Sequence, residues 1–251
     1  MNSGKPYKVD QSPFYKLNSK AVLASHLNLK TKSNMLTLLR KGDSNFYVST
    51  LACGRQIEVP LPKLSRVHRR INRLISRMET PNYLNSGVKK RSNVKNARDH
   101  LGEHALLKID IKNFYQSITE EQVSRCFVKY FRCSTDVSES IAKLCCFNGY
   151  LPTGSSISQS LAYLVNRPIF DHINTYSKSK GIKFTCYVDD LTFSGKLIPR
   201  GFIGYIRSYI KSSRGYSCHK IRMHRAVTDK YVTGVVIRGN VLKVPNNQRK
   251  K

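Results

Sequence analysis

Acidic residues are scarce in this chain. It carries 15 Asp and Glu against 44 Lys and Arg, a formal net charge of +29 over 251 residues. An acid that stands among apolar neighbours is therefore informative by its position. No run of 18 or more apolar residues occurs, which excludes a membrane-spanning helix of the usual kind. The opening stretch MNSGKPYKVDQSPFYK lacks the apolar centre of a secretory signal, so a cytoplasmic location is expected. The seven Cys include no C-x-x-C pair, and the neighbours Cys145 and Cys146 do not suit an ordinary disulfide; a reducing compartment is the simple reading. Internal repeats and low-complexity linkers are also missing.

What is present is a globular composition, 40% apolar, in a chain long enough for one large or two small cores. Its positive charge runs along the whole length rather than sitting in a tail. Self-repulsion on that scale costs stability unless a polyanion covers it, so nucleic acid is the expected partner. Charge alone leaves a structural RNA binder open.

The first fifty residues read as helical and basic, and ACGRQIEVPLP (Ala52 to Pro62) as a short β segment closed by prolines. From Lys63 to Met78 the spacing predicts an amphipathic helix with Leu64, Val67, Ile71, Leu74 and Ile75 on one face and five arginines on others. Tyr83 to Asn96 reads as loop. LLKIDIKNFY (Leu106 to Tyr115) predicts a buried strand, and Thr119-x-x-Gln122 a capping-box start to a helix ending near Phe131. A second helix is expected over Val137 to Phe147, and a longer one after the loop LPTGSS (Leu151 to Ser156), reaching about Tyr176. FTCYVDDLTFSG (Phe184 to Gly195) predicts a hairpin, followed by a helix near Phe202 to Ile210. Two strands, YVTGVVI and VLKV, are joined by Arg238-Gly239-Asn240. Helices first, then mixed strands and helices, make the class α+β rather than a βαβ repeat.

The chemistry rests on three acids. Asp110 ends one predicted strand, and Asp189 and Asp190 sit at the turn of a predicted hairpin. Distant strands can pair and bring such carboxylates together, at roughly 4 kcal/mol for each like-charge pair about 4 Å apart at an effective dielectric near 20. Lys or Arg could neutralise them, but a divalent cation fits better: magnesium prefers hard carboxylate oxygens, water and substrate phosphates. Two such ions suit an in-line phosphoryl displacement. A lone Asp-Asp is also a common turn sequence.

YVDD in a hairpin, preceded by Asp110 in IDIKNFYQSIT and by LPTGSSISQ, resembles the palm of reverse transcriptases. NARDH (Asn96 to His100) and VTG (Val232 to Gly234) further resemble the N-A-x-x-H and V-T-G motifs of retron reverse transcriptases. The resemblance covers roughly residues 50 to 245 and implies a right-hand polymerase architecture. Helices and fingers would span 1–104, and a palm with an antiparallel sheet packed on helices 105–251, with a fingers-side segment near 130–155. A thumb would be absent or cut short after 245.

The resemblance also implies roles. Asp110, Asp189 and Asp190 would hold two Mg²⁺ ions, with the Ile111 carbonyl as a backbone ligand. Lys220 would stand near the leaving pyrophosphate. Tyr115 would sit under the sugar and exclude a ribose 2′-OH, while its neighbour Phe114 reads as core. Gly154 would let backbone approach the incoming base pair, and Arg55 would grip the triphosphate. Asn96, His100, Val232, Thr233 and Gly234 would contact a structured RNA. Two departures stand out: Thr153 where many relatives carry Gln, and Gln159 where Pro is frequent.

The implied function is an RNA-directed DNA polymerase using dNTPs in the bacterial cytoplasm. It would copy part of a non-coding RNA from an RNA 2′-OH primer, leaving a branched RNA–DNA product, in anti-phage defence with an effector or toxin protein. The alternatives are another bacterial defence reverse transcriptase, with untemplated or protein-primed synthesis, and an inactive RNA-binding scaffold.

Overall fold

The computed structural model describes residues 6–244. The position expected to end the palm, after 245, lies outside them. Helices α1 (Lys20–His26) and α2 (Lys32–Lys41) each begin at a hydroxyl cap, Ser19 and Thr31. A hairpin of β1 (Phe46–Thr50) and β2 (Gln56–Pro60) leads into α3 (Pro62–Ile75), which starts on proline. Short α4 (Asn93–Arg98) and β3 (Ala105–Ile111) follow, then α5 (Glu120–Phe131), α6 (Thr135–Cys145) and the long α7 (Ser158–Ser179). The chain continues through β4 (Lys183–Tyr187), β5 (Asp190–Gly195), α8 (Arg200–Arg214) and β6 (Cys218–His224). The last strands are β7 (Lys230–Val232), β8 (Val235–Arg238) and β9 (Val241–Lys243).

These elements form two compact units that interleave in sequence. Residues up to 79 group with 115–165, and residues 80–114 group with the chain from 166 onward. None of the described helices is long and apolar enough to cross a membrane.

In the first unit, α3 buries all five residues of its expected apolar face, and His68 as well. The His68 ring spans a gap between elements: Nε2 donates to the Leu144 carbonyl at 2.6 Å, and Nδ1 lies 2.6 Å from Ser155 Oγ. Thr119 and Gln122 close the expected capping box of α5. Phe14, Phe127 and Phe131 pack as a trio, with ring centroids 5.0 to 5.8 Å apart. Val123, Phe127 and Phe131, four residues apart, put one apolar stripe on α5, and Phe14 packs on its two rings.

The second unit is built on an antiparallel sheet in the order β4-β5-β3-β6. Strand alternation gives the sheet two unlike faces. Leu107, Ile109 and Ile111 of β3 share one face with Phe184, Cys186, Leu191 and Phe193, all buried. On this side Phe193 meets Phe202 of α8 edge-on at 5.4 Å. Phe114, just past β3, packs against Phe170 and Tyr216, as expected of a core aromatic. Lys108, Asp110, Thr185, Asp190, Thr192 and Ser194 line the opposite, polar face.

Three sequence expectations change here. CHKIRMH forms a strand, β6, that the reading of the chain did not single out. Asn93–Arg98 is a helix rather than loop. YVTGVVI is two strands, because Thr233 and Gly234 both take positive φ (45° and 80°) and turn β7 back onto β8. Two consecutive left-handed residues are the requirement of a type I′ hairpin turn, and Thr-Gly is a weaker signal for it than Asn-Gly.

Burial of two imidazoles sets an acid limit on the fold. His68 is held down to about 4 and His100 to about 3, in both cases because burial disfavours the charged ring. In the unfolded chain each titrates near 6.5. Protons therefore bind the unfolded state first as the pH falls: stability is complete above about 6.5 and declines from there towards 3–4. Between pH 7.5 and pH 5 each ring should withdraw about 2 kcal/mol. Urea midpoints at the two pH values should show that loss, and His68→Gln or His100→Gln should flatten the slope while lowering the midpoint at pH 7.5.

Candidate active site

Strand β3 lies between β5 and β6, and this order brings the separated acids into one row. Asp110 is the direct cross-strand partner of Asp190 on β5, and of His219 on β6. Like charges opposite each other destabilise a sheet. One cation and one imidazole stand beside them. Lys108, two residues before Asp110 and so on the same face, places Nζ 3.2 Å from Asp190 Oδ1. His219 Nδ1 lies 3.1 Å from Asp110 Oδ1, off the alignment of a good hydrogen bond. Neither residue was picked out as a partner from sequence. The period of two along β3 was the available signal for Lys108; nothing local marks His219.

The third acid sits on a strained turn. Tyr187 and Asp190 are paired, leaving Val188 and Asp189 as a two-residue loop. Val188 has φ +59° and Asp189 is not left-handed, the φ pattern of a type II′ turn, in which glycine normally takes the first place. A β-branched residue there costs on the order of 1–3 kcal/mol and persists only where its surroundings fix it. They do so here. Ser86 Oγ accepts the Val188 N–H at 3.0 Å, the Asn85 N–H donates to the Cys186 carbonyl at 2.9 Å, and the Cys186 N–H donates to Tyr83 O at 2.8 Å. The Ile111 N–H donates to the Asp189 carbonyl at 3.2 Å, tying the turn to the end of β3. Asn85 and Ser86, in a stretch expected to be plain loop, are thus part of the support of the acids.

Lys220 is exposed with φ +50°, at a β-bulge where the β3–β6 register shifts between Lys108 and Asp110. Arg55 is exposed beside the β1–β2 turn. Tyr115 and Gly154 belong to the first unit, Asp110, Asp189 and Asp190 to the second. At Gly154 the close approach that demands glycine is to this chain's own strand: a Cβ there would lie 2.7 Å from the Glu58 carbonyl oxygen and 2.8 Å from Val59 Cγ2.

The residues expected to touch RNA need correction. Asn96 and His100 are 0% and 1% exposed. Both ring nitrogens of His100 are used, Nδ1 with Ser194 Oγ and Nε2 with Thr185 Oγ1, each at 2.7 Å. His100 thus joins β4 to β5 on the polar face, at the end away from the acids. Asn96 accepts a hydrogen bond from Asn85 at 3.1 Å, and its amide faces Thr233 Oγ1 at 3.5 Å. Thr233 in turn donates to the Asn93 carbonyl at 3.0 Å, and Asn93 Nδ2 to the Thr233 carbonyl at 3.1 Å. Val232 is fully buried with Ala97 and Leu106 in a small core. The two motifs therefore dock on each other, and of the five residues only Gly234 is exposed.

Asp110 and Asp190 offer the hard oxygens a divalent cation takes, so the donor chemistry fits one. In the arrangement present, Lys108 and His219 stand at those oxygens. Among the described residues no group of three or more His, Cys, Asp or Glu is gathered closely enough to hold a metal ion.

A helix-backed antiparallel sheet with acids at adjoining strand ends is now joined to a family. Residues 56–203, more than half of the chain, match the reverse transcriptase (RNA-dependent DNA polymerase) family, and the chain belongs to it. Its relatives include retron reverse transcriptases. One, Retron Se72 reverse transcriptase of Salmonella heidelberg, is 31% identical over 56% of this chain and 37% of its own length. Retron Ec86 reverse transcriptase of Escherichia coli is 33% identical over 45% of this chain and 35% of its own. Retron Ec48 reverse transcriptase, also of Escherichia coli, is 26% identical over 91% of this chain and 58% of its own. The chain thus spans less than two thirds of the length of these relatives.

Two substitutions test the supports of the site. Gly154→Ala must displace backbone, and should cost about 1–3 kcal/mol in a thermal or denaturant melt. Ser86→Ala removes the acceptor under the Val188 turn and should cost about 1 kcal/mol by the same measurement.

Proposed function

We propose that this protein is an RNA-directed DNA polymerase of the retron type, copying part of a structured non-coding RNA into DNA. The observation that carries this reading is the cross-strand pairing of Asp110 with Asp190 beside Asp189, in a chain of the reverse transcriptase family. On this reading residues 1–104 are the N-terminal helices and fingers of a right-hand polymerase, and 105–251 the palm, with a fingers-side segment near 130–155.

Asp110, Asp189 and Asp190 would hold Mg²⁺, two ions in the full reading, with the Ile111 carbonyl as a backbone ligand. When bound, such ions activate the attacking hydroxyl and stabilise the leaving pyrophosphate. The remaining work falls to the chain's own groups. Tyr115 excludes the ribose 2′-OH and so selects dNTPs. Gly154 and Arg55 receive the base and the triphosphate. Lys220, displaced from the strand by the bulge, supplies positive charge where the pyrophosphate develops. Lys108 balances Asp190 while the site is idle, with His219 beside Asp110. Gly234, exposed at the β7–β8 turn, takes up the RNA, with Asn96 and Thr233 holding that turn in place and His100 the sheet beside it. Priming from an RNA 2′-OH, a branched product, bacterial anti-phage defence and an effector protein complete the proposal.

A second reading, an RNA-binding scaffold without catalysis, is favoured by one observation: Asp190 already faces the Lys108 ammonium, and His219 stands beside Asp110. One assay separates the two. Protein, its neighbouring structured RNA, Mg²⁺ and labelled dNTPs should give a short DNA, and Asp189→Asn or Asp110→Asn should reduce it by on the order of 10²–10³-fold or more. Folded wild-type protein that binds the RNA yet makes no DNA would sink the polymerase and leave the scaffold.

A further inference from the structure

The loop LPTGSS carries Thr153 beside Gly154, and the structure shows what that threonine does. Glu58 lies on β2, whose alternation turns it inward, and it is only 9% exposed. Burying a carboxylate is costly unless its oxygens are satisfied. In a chain with 15 acids, an inward-facing one calls for a reason. One oxygen of Glu58, Oε2, accepts both the Thr153 N–H and the Thr153 Oγ1–H, each at 2.8 Å. The backbone carbonyl of the same residue accepts the Gly154 N–H at 3.1 Å. Hydrogen bonds to a charged acceptor are among the stronger ones a protein makes. The flanks of the loop are fixed as well: Ser158 Oγ donates to the Pro152 carbonyl, and Ser155 Oγ sits 2.6 Å from His68 Nδ1.

We infer that Glu58 is a positioning residue, which clips the 152–155 loop through Thr153 and so presets Gly154 for the incoming nucleotide. The inference rests on the polymerase reading and adds to it a device that reaches no substrate itself. Thr153 has spent its hydroxyl on Glu58, so it stiffens the loop instead of contacting the nucleotide. The clip also explains why the glycine is needed on the strand side: the loop backbone lies against Glu58, and a Cβ at Gly154 would enter that contact.

The test uses Thr153→Val, Thr153→Ser and Glu58→Ala in the whole chain. Amide exchange at residues 153–155 is read first, then primer extension at varied dNTP concentration. Thr153→Val should speed exchange roughly tenfold, the loss of about one charged hydrogen bond, and Glu58→Ala should speed it further. The dNTP KM should rise about fivefold or more for both, with kcat within about twofold, since the loop is disordered before binding and not in the reacting geometry. Thr153→Ser, which keeps the hydroxyl, should restore both values.

Unchanged exchange in both Thr153→Val and Glu58→Ala, with the rest of the chain still protected, would overturn the clip. Faster exchange with an unmoved KM would overturn its role in nucleotide positioning. Equal loss of kcat and rise of KM, unrelieved by serine, would do the same by pointing to general damage. A wild-type protein that makes no DNA would overturn the polymerase reading instead, and the exchange arm would still decide whether Glu58 holds the loop.

Discussion

Two carboxylates face each other across neighbouring strands, and much of the second unit follows from making that arrangement tenable. Asp110 and Asp190 are register partners in the interior of an antiparallel sheet, where opposed like charges work against pairing. Sheet register is what holds them there: the apolar face of the same strands is buried by Leu107, Ile109, Leu191 and Phe193, so a slip of one residue would turn those side chains to the polar side. The strong term, apolar burial, fixes the geometry of the weaker and unfavourable one. Lys108 relieves the repulsion locally, and His219 stands beside Asp110. The polar face thus stores an anionic site whose position is dictated from the face that has no part in the chemistry.

The far end of that polar face is closed in a different way. There His100 lies between Ser194 and Thr185 and replaces water with a fixed pair of hydrogen bonds. Around it, Asn85, Asn93, Asn96 and Thr233 form a network joining α4, the segment before it and the β7–β8 turn. Buried polar networks of this kind specify one arrangement, because any alternative leaves donors unpaired in a poor solvent. Asn85 and Ser86 then continue the support to the strained turn that carries Asp189. Motifs distant in sequence meet here, each satisfying polar groups of the other.

In the first unit the same economy of acids recurs. Glu58 is one of few carboxylates in a strongly basic chain, and it is committed to the loop that carries Gly154. The basic residues on the exposed faces need no such precision: at a net charge of +29, attraction for a polyanion is a property of the whole surface. Sparse acids do the positioning, and abundant bases supply the general attraction.

Local rules made much of this legible in the sequence. The apolar stripe of α3, the Thr119 capping box of α5, the hairpin around Tyr187 to Asp190 and the core place of Phe114 all follow from periodicity or turn chemistry within one segment. The order of Asp110, the LPTG loop and the paired aspartates carried the family. Non-local facts were out of reach. His219 faces Asp110 only because β6 pairs with β3, and β6 has too little apolar alternation to announce itself as a strand. Asn96 and His100 were expected at RNA from the motif resemblance alone, whereas the hydroxyls that meet their side chains come from β4, β5 and the β7–β8 turn. Gly154 read as making room for a ligand, and the backbone of β2 is what lies against it. The sequence by itself determined the amphipathic helices, the Asp110 strand and the Asp189–Asp190 hairpin, and which acids were available for chemistry, since spacing and composition act over a few residues. Only the tertiary structure decided which charges answer those acids and which polar groups are sealed inside, because pairing and burial join residues that are far apart along the chain.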